Sequence, residues 1–126
     1  MNLLFLVTRN EAAMLRFNLA HHLAWGFDRI LVADNQSTDA TPEVLRAFGD
    51  AVATTSVEDP NHRHIAIGAL LARHEAQHGP AAWVAVSDTD ELWWGAGVDL
   101  RRHLARVPPR IAALNLGQKL FLPTAL

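Results

Sequence analysis

Apolar and polar positions fall in blocks along this chain, and the period changes from block to block. Residues 2–8 form an almost unbroken apolar run, of the length of a buried strand. After Asn10, the apolar residues Met14, Leu15, Leu19 and Leu23 recur at helical spacing among alanines. Asn10 is therefore read as the cap of a helix running to about Trp25, with Gly26 ending it. Residues 28–33 are a second strand, 41–48 a second helix and 51–57 a short third strand. The second helix carries its own start signal, since Thr41, Pro42 and Glu43 read as N-cap, first-turn proline and early acid. A third helix spans 61–78 and is stopped by Gly79 and Pro80, and 81–87 is a fourth strand. Asp99 caps a helix to about Arg106, Pro108 and Pro109 break the chain, 110–116 is a last strand, and 120–122 pairs at an edge. Strands alternating with helices predict an α/β fold of three layers, a mostly parallel sheet with helices on both faces. There is no internal repeat, linker or low-complexity segment.

Composition narrows the class. A chain of 126 residues is read as one domain with a real core. Half of the residues are apolar and 19% are charged, which is a globular balance. A net charge of −2 gives no electrostatic case for nucleic acid. The absence of cysteine excludes disulfides and thiolate metal sites, and a reduced, cytoplasmic setting fits. The apolar start, residues 1–7, lacks a basic flank and is too short for a signal peptide, and no apolar run reaches membrane-spanning length.

Two polar interruptions carry candidate chemistry. Asp88-Thr89-Asp90-Glu91 follows directly on the fourth apolar strand. Acids at the end of such a strand are costly to bury unpaired, and a hard divalent cation is one remedy. If the segment stays extended, Asp88 and Asp90 point the same way and can face one partner. The competing reading is a turn with solvated acids. Asp34-Asn35-Gln36-Ser37-Thr38-Asp39 lies between the second strand and second helix. Open α/β sheets bind ligands outside the carboxyl ends of their strands, and an ordinary Asx-rich turn is the alternative.

A third motif, His74-Glu75-Ala76-Gln77-His78, has the zinc-hydrolase pattern. On a helix, His74 and His78 share a face, and Glu75 would act as base. Gly79 and Pro80 end the helix at once, position 84 is Val84 rather than a third histidine, and Glu91 lies beyond a strand. Histidine at an exposed helix end, favoured by the dipole, accounts for the same residues. His21 and His22 sit in the first helix, where one of them would face solvent. His62, Arg63 and His64 open the third, whose N-terminus can hold an anion. Trp93 and Trp94 offer either a sugar-stacking platform or core packing, and Arg101 and Arg102 a solvated face.

Thr8-Arg9-Asn10-Glu11, the loop 34–41 and Trp83-Val84-Ala85-Val86-Ser87-Asp88-Thr89-Asp90-Glu91-Leu92 together resemble glycosyltransferase family 2, in order and spacing and over nearly the whole chain. The similarity is to the branch with an RNE start, a DNxSTDxT loop and a DxDE-type acidic motif. It implies a GT-A fold, a Rossmann-like nucleotide-diphospho-sugar transferase architecture, with a nucleotide-sugar donor, a UDP-sugar by expectation, and Mn²⁺ or Mg²⁺. It places Thr8 and Glu11 beside the nucleotide, Asp34 or Asn35 on the base or ribose, and Asp39 in shaping the loop. Asp88 would lie near ribose and metal waters, Asp90 would be the direct metal ligand, and Glu91 would support them. Inverting members take their base from a carboxylate after the DxD. The one acid past Glu91 here is Asp99, already read as a cap, so the catalytic base stays unassigned. The expectation is a donor-binding half without its acceptor part, with acceptor and oligomeric state open. A nucleotide-binding fragment without turnover is the alternative.

Overall fold

The apolar run at the start of the chain becomes the inside of the sheet. The structure is a computed structural model, described for residues 1–59, 63–95 and 99–114. Its elements are β1 (Asn2–Thr8), α1 (Ala12–Trp25), β2 (Arg29–Asp34), α2 (Thr41–Ala47), a 3₁₀ turn (Gly49–Ala51), β3 (Val52–Ser56), α3 (Arg63–His78), β4 (Trp83–Asp88) and α4 (Leu100–Leu104). The four strands form one all-parallel sheet in the order β3-β2-β1-β4. Leu3 lies beside Arg29 on one side and Val84 on the other, so β1 has hydrogen-bonded neighbours on both sides. Helices cover both of its faces as well. Leu3, Leu4, Phe5 and Leu6 are each at most 1% exposed, which is why this strand reads as a continuous apolar run rather than an alternating one.

Two cores follow from the pleat. Leu4, Leu6, Ile30 and Val32 face Leu15 and Leu19 of α1, Val44 and Leu45 of α2, and Leu100 of α4. Leu3, Phe5, Leu31 and Ala33 face Ala66 and Leu70 of α3. Helices therefore lie on both faces. After β3 the chain crosses back to the far side of β1, so the strand order reverses between β1 and β4. That crevice is the topological switch point, where parallel sheets of this kind leave room for a ligand at their carboxyl edge. Val84 and Val86 of β4 are 40% and 57% exposed on the α3 side, because α3 sits over β2 and β3.

Several boundaries differ from the sequence expectation. The first helix starts at Ala12 with Glu11 at its N-cap position, and Asn10 instead takes a left-handed conformation, φ 54°. The second has Ala40 at the N-cap and Thr41 in the first turn, because the Thr41 hydroxyl is used by the neighbouring loop. Residues 110–114 form no strand, and 115–126, including the expected edge pairing at 120–122, lie outside the described residues. So do Pro60, Asn61 and His62, so the expected start of the third helix at Asn61 falls there. Gly26 ends α1 as expected. It adopts φ 123°, and its N–H reaches His22 O and Leu23 O, both at 3.2 Å. Asp99 does cap α4, its Oδ1 accepting Arg102 N–H at 2.9 Å. Among the described residues no helix is long and apolar enough to cross a membrane.

Leu31→Ala removes a side chain that is 1% exposed between β1, β3 and α3. It is expected to cost about 2–5 kcal/mol in urea unfolding. Glu43→Ala, which removes the exposed 2.8 Å pair with Arg46, should shift the midpoint far less. Equal shifts would contradict this account of the core.

Candidate functional site

Three segments meet at the carboxyl edge: the loop after β1, the loop after β2 and the turn after β4. The first two interlock. Asn10 Oδ1 accepts from Thr38 N at 2.7 Å and Asp39 N at 3.3 Å, while Asn10 N–H donates to Ser37 Oγ at 2.9 Å. Asn35 N–H donates to Thr8 O at 2.9 Å, and Thr8 Oγ1 donates to Glu11 Oε2 at 3.1 Å. Asp34 Oδ1 accepts from Ser37 Oγ at 2.5 Å and from Ser37 N at 3.2 Å. Asp39 accepts Thr41 N–H at 2.9 Å and Ala12 N–H at 3.2 Å, and Thr41 Oγ1 accepts Glu11 N–H at 3.2 Å. Two amides at the start of α1, those of Glu11 and Ala12, are thus satisfied from the neighbouring loop and the start of α2. Hydrogen bonds from Thr41, its side chain foremost, and from Ala12 hold the Asp39 carboxyl below the usual carboxylate range.

The acidic motif is a turn. Glu91 N–H donates to Asp88 O at 3.1 Å, so the chain does not stay extended past β4, and the expected alternation of Asp88 and Asp90 along a strand does not apply. Thr89 turns inward, 2% exposed, with Oγ1 on Val7 O at 3.1 Å. Asp88 and Asp90 stay exposed on either side of it. Glu91 Oε2 accepts Asp88 N–H at 3.0 Å and Ser87 Oγ at 2.9 Å, so this acid braces the turn.

Beneath the turn lies a buried polar contact that the sequence reading missed. Asn18 Nδ2 donates to Thr89 O at 2.8 Å and Glu91 O at 2.9 Å. His22 Nε2 accepts Trp93 N–H at 3.0 Å, which leaves the proton on Nδ1, 2.9 Å from Asn18 Oδ1 and 3.0 Å from Asn18 O. Asn18 and His22 are both 0% exposed. Burial pushes the His22 pKa down to about 4, against the pull of its Asn18 backbone bond and with help from His21. His21 Nε2 lies 2.6 Å from Trp93 O. The signal in the sequence was positional: Asn18 and His22 fall on the apolar stripe of Leu15 and Leu19. Trp93 packs on Phe27, ring centroids 6.0 Å apart, and donates Nε1–H to Ser87 Oγ at 2.9 Å. Of the two tryptophans, Trp94 is the exposed one, at 57%.

The expected donor residues divide by placement. Thr8 is buried on Glu11. Asn35 is 5% exposed, and with its amide nitrogen turned to the β3 end it lies 3.1 Å from Val57 O and 3.3 Å from Glu58 O. Asp34 remains half-exposed. Asp34 is paired with Thr8 and Asp88 with Val7, consecutive residues of β1, so the two acids leave the sheet on opposite faces. Among the described residues no three histidine or acidic side chains gather into a metal cage. Asp88 and Asp90 are the exposed carboxylates of this turn, and Mg²⁺-type sites use one or two carboxylates where phosphates and water complete the shell.

The zinc-hydrolase pattern sits at the other end of the sheet, near the start of β2. Arg29 Nη1 lies 2.6 Å from His78 Nε2, and Glu75 Oε1 accepts Ala81 N–H at 3.1 Å, closing the connection to β4. His74 is 4% exposed, its ring 4.8 Å from that of His78, and neither of its nitrogens has a partner. Burial, then the charges of His78 and Arg29, lower its pKa. His62 and the Arg63 side chain lie outside the described part. One cleft, about 460 Å³, is walled by Ala82, Trp83, Val84, Val107, Pro108 and Ile111 among other apolar residues, and among the described residues no charged side chain lines it.

The chain matches no protein-family model, and no curated protein matches it.

Stability should fall as pH drops from 6.5 to about 4, because the unfolded chain protonates His22 at its ordinary value and the folded chain resists. The full shift corresponds to roughly 3 kcal/mol. His74 adds a contribution of the same sign. The measurement is therefore the difference between wild type and His22→Gln, whose unfolding free energy should depend less steeply on pH across that window. Identical slopes would refute the neutral His22 contact.

Proposed function

We propose that this chain is a donor-binding domain of the glycosyltransferase family 2 type, with a GT-A fold, that takes a nucleotide-sugar, a UDP-sugar first, together with Mn²⁺ or Mg²⁺. One observation carries the reading. The carboxylates of Asp88 and Asp90 are exposed, without hydrogen bond or ion pair among the described residues, on a turn braced from below at the switch point of a parallel sheet. Carboxylates held open in that position suit a hard cation, and a cation there suits a diphosphate.

The roles follow from placement. Asp90, at the tip of the turn, and Asp88, at the strand end, would hold the cation and its waters. When bound, the cation offsets negative charge that develops on the diphosphate as the glycosidic bond breaks. Asn18, His22 and Glu91 keep the turn in shape. Asp34 has an oxygen left after Ser37 and can accept from a ribose hydroxyl or base N–H, whereas Asn35 is occupied at the end of β3. Glu11 stands half-exposed beside Thr8.

A second reading is nucleotide binding without transfer. Transfer needs a base for the acceptor hydroxyl, and Asp99 Oδ1 is engaged with the Arg102 amide at 2.9 Å. Release of free sugar or a glycosylated acceptor from UDP-sugars separates the two readings.

Calorimetry with UDP is expected to show binding in Mn²⁺ that a chelator abolishes. Asp90→Ala should lose it, Asp88→Ala should weaken it, and His74→Ala should keep it. Metal-independent binding, or loss in His74→Ala with Asp90→Ala intact, would refute the assignment.

A further inference from the structure

The switch point carries one cation whose role the reading above leaves open. Arg9 follows Thr8 directly at the end of β1, and its side chain is exposed. The β1 residues just before it, Val7 and Thr8, are paired with Asp88 and Asp34. Its backbone is fixed from both sides: Thr8 is the last residue of the strand, and Asn10 is clamped to Ser37, Thr38 and Asp39. Yet the guanidinium has no hydrogen bond or ion pair among the described residues. Three other arginines are engaged within the chain, Arg101 with Asp28 at 2.9 Å, Arg46 with Glu43 at 2.8 Å, and Arg73 with Thr54 O at 3.0 Å, so what distinguishes Arg9 is its place at the end of β1. An unpaired guanidinium and two unpaired carboxylates thus share one edge without neutralising each other.

The usual anion receptor of such folds is partly occupied by the chain itself. In many α/β proteins a phosphate sits on the first amides of the helix after β1. Here the outermost two are taken: Ala12 N–H by the Asp39 carboxylate and Glu11 N–H by Thr41 Oγ1. The carboxylate of Asp39 would also repel an anion there. Any phosphate at this edge must find its positive charge elsewhere. A cation on Asp88 and Asp90 supplies part of it, and a guanidinium can supply the rest through two parallel N–H donors.

We infer that Arg9 is the diphosphate-binding residue of this site, recognising the phosphate groups of a nucleoside diphosphate alongside the cation held by Asp88 and Asp90. The inference rests on the donor-binding reading and adds to it a specificity. The site selects for the diphosphate more than for the nucleoside, and α1 takes no direct part in holding it.

The test is NMR titration of the folded chain in Mg²⁺ with UDP and with uridine, on wild type, Arg9→Gln and Arg9→Lys. Arg9 is exposed and its guanidinium makes no hydrogen bond or ion pair among the described residues, so the variants should unfold at the wild-type denaturant midpoint. Arg9→Gln should weaken UDP by about tenfold to a hundredfold, the loss of a charge-assisted bond, and leave uridine unchanged. Arg9→Lys should recover part of the loss. The salt dependence of UDP binding should also flatten in Arg9→Gln. Unchanged UDP binding in Arg9→Gln, or equal weakening of UDP and uridine, overturns the role of Arg9 while leaving the donor site standing. No UDP binding by wild type overturns both.

Discussion

Because β4 returns to the far side of β1 instead of extending the sheet past β3, the loop after β1 and the turn after β4 end side by side at the carboxyl edge. That reversal has a physical cost. β1 must be apolar on both faces, and the polar residues that follow it must leave the core within one or two positions. The chain does this at Thr8, still 2% exposed but hydrogen-bonded, and then at Arg9, already exposed. The acids at the ends of β2 and β4 flank it from opposite faces of the sheet. The geometry of the edge is thus a consequence of strand order, and the candidate chemistry is placed by it.

Holding that edge in shape falls to neutral groups. Asn10, Ser37, Thr41, Asn18 and His22 make the contacts between segments far apart in sequence. Asp39 and Glu91 are the acids tied most fully into the lacing, each accepting backbone N–H bonds. The contact between α1 and the acidic turn shows why neutrality matters. His22 accepts from Trp93 N–H through Nε2, and a proton there would replace an attraction by a repulsion in a contact buried from bulk solvent. Burial keeps the ring neutral, so the shape of the turn and the stability of the core depend on the same histidine.

The sequence was most legible where the pattern is dictated by burial on both faces. The four strands, the three longer helices and the stop at Gly26 follow from apolar period and backbone chemistry. It was less legible where polar side chains act across loops. Thr41 looks like a cap because its own helix begins there, but its hydroxyl serves Glu11. Asn10 looks like a cap for the same local reason, and its left-handed backbone instead lets it clasp the loop 38–39. The Asp88-Thr89-Asp90 spacing suggests alternation only if the chain stays extended. The Glu91 amide closes a turn, and Thr89 points inward between two exposed aspartates. Asn18 and His22 could be found only as polar interruptions of an apolar stripe, since their partners lie about seventy residues away.

The charges that remain unpaired are the informative ones. A surface of ordinary solvated residues has no reason to fix the backbone beneath them. Here the backbone under Arg9 is clamped through Asn10, and that under Asp88 and Asp90 through Thr89 and Glu91, while the charged tips are left open. Pre-organising the base of a side chain while leaving its charge unsatisfied lowers the ordering cost of binding without giving up the electrostatic gain. Pairing Arg9 with Asp88 inside the fold would have removed both charges from use. Under the proposed reading, that arrangement would favour a metal cation with a bound polyanion over either alone.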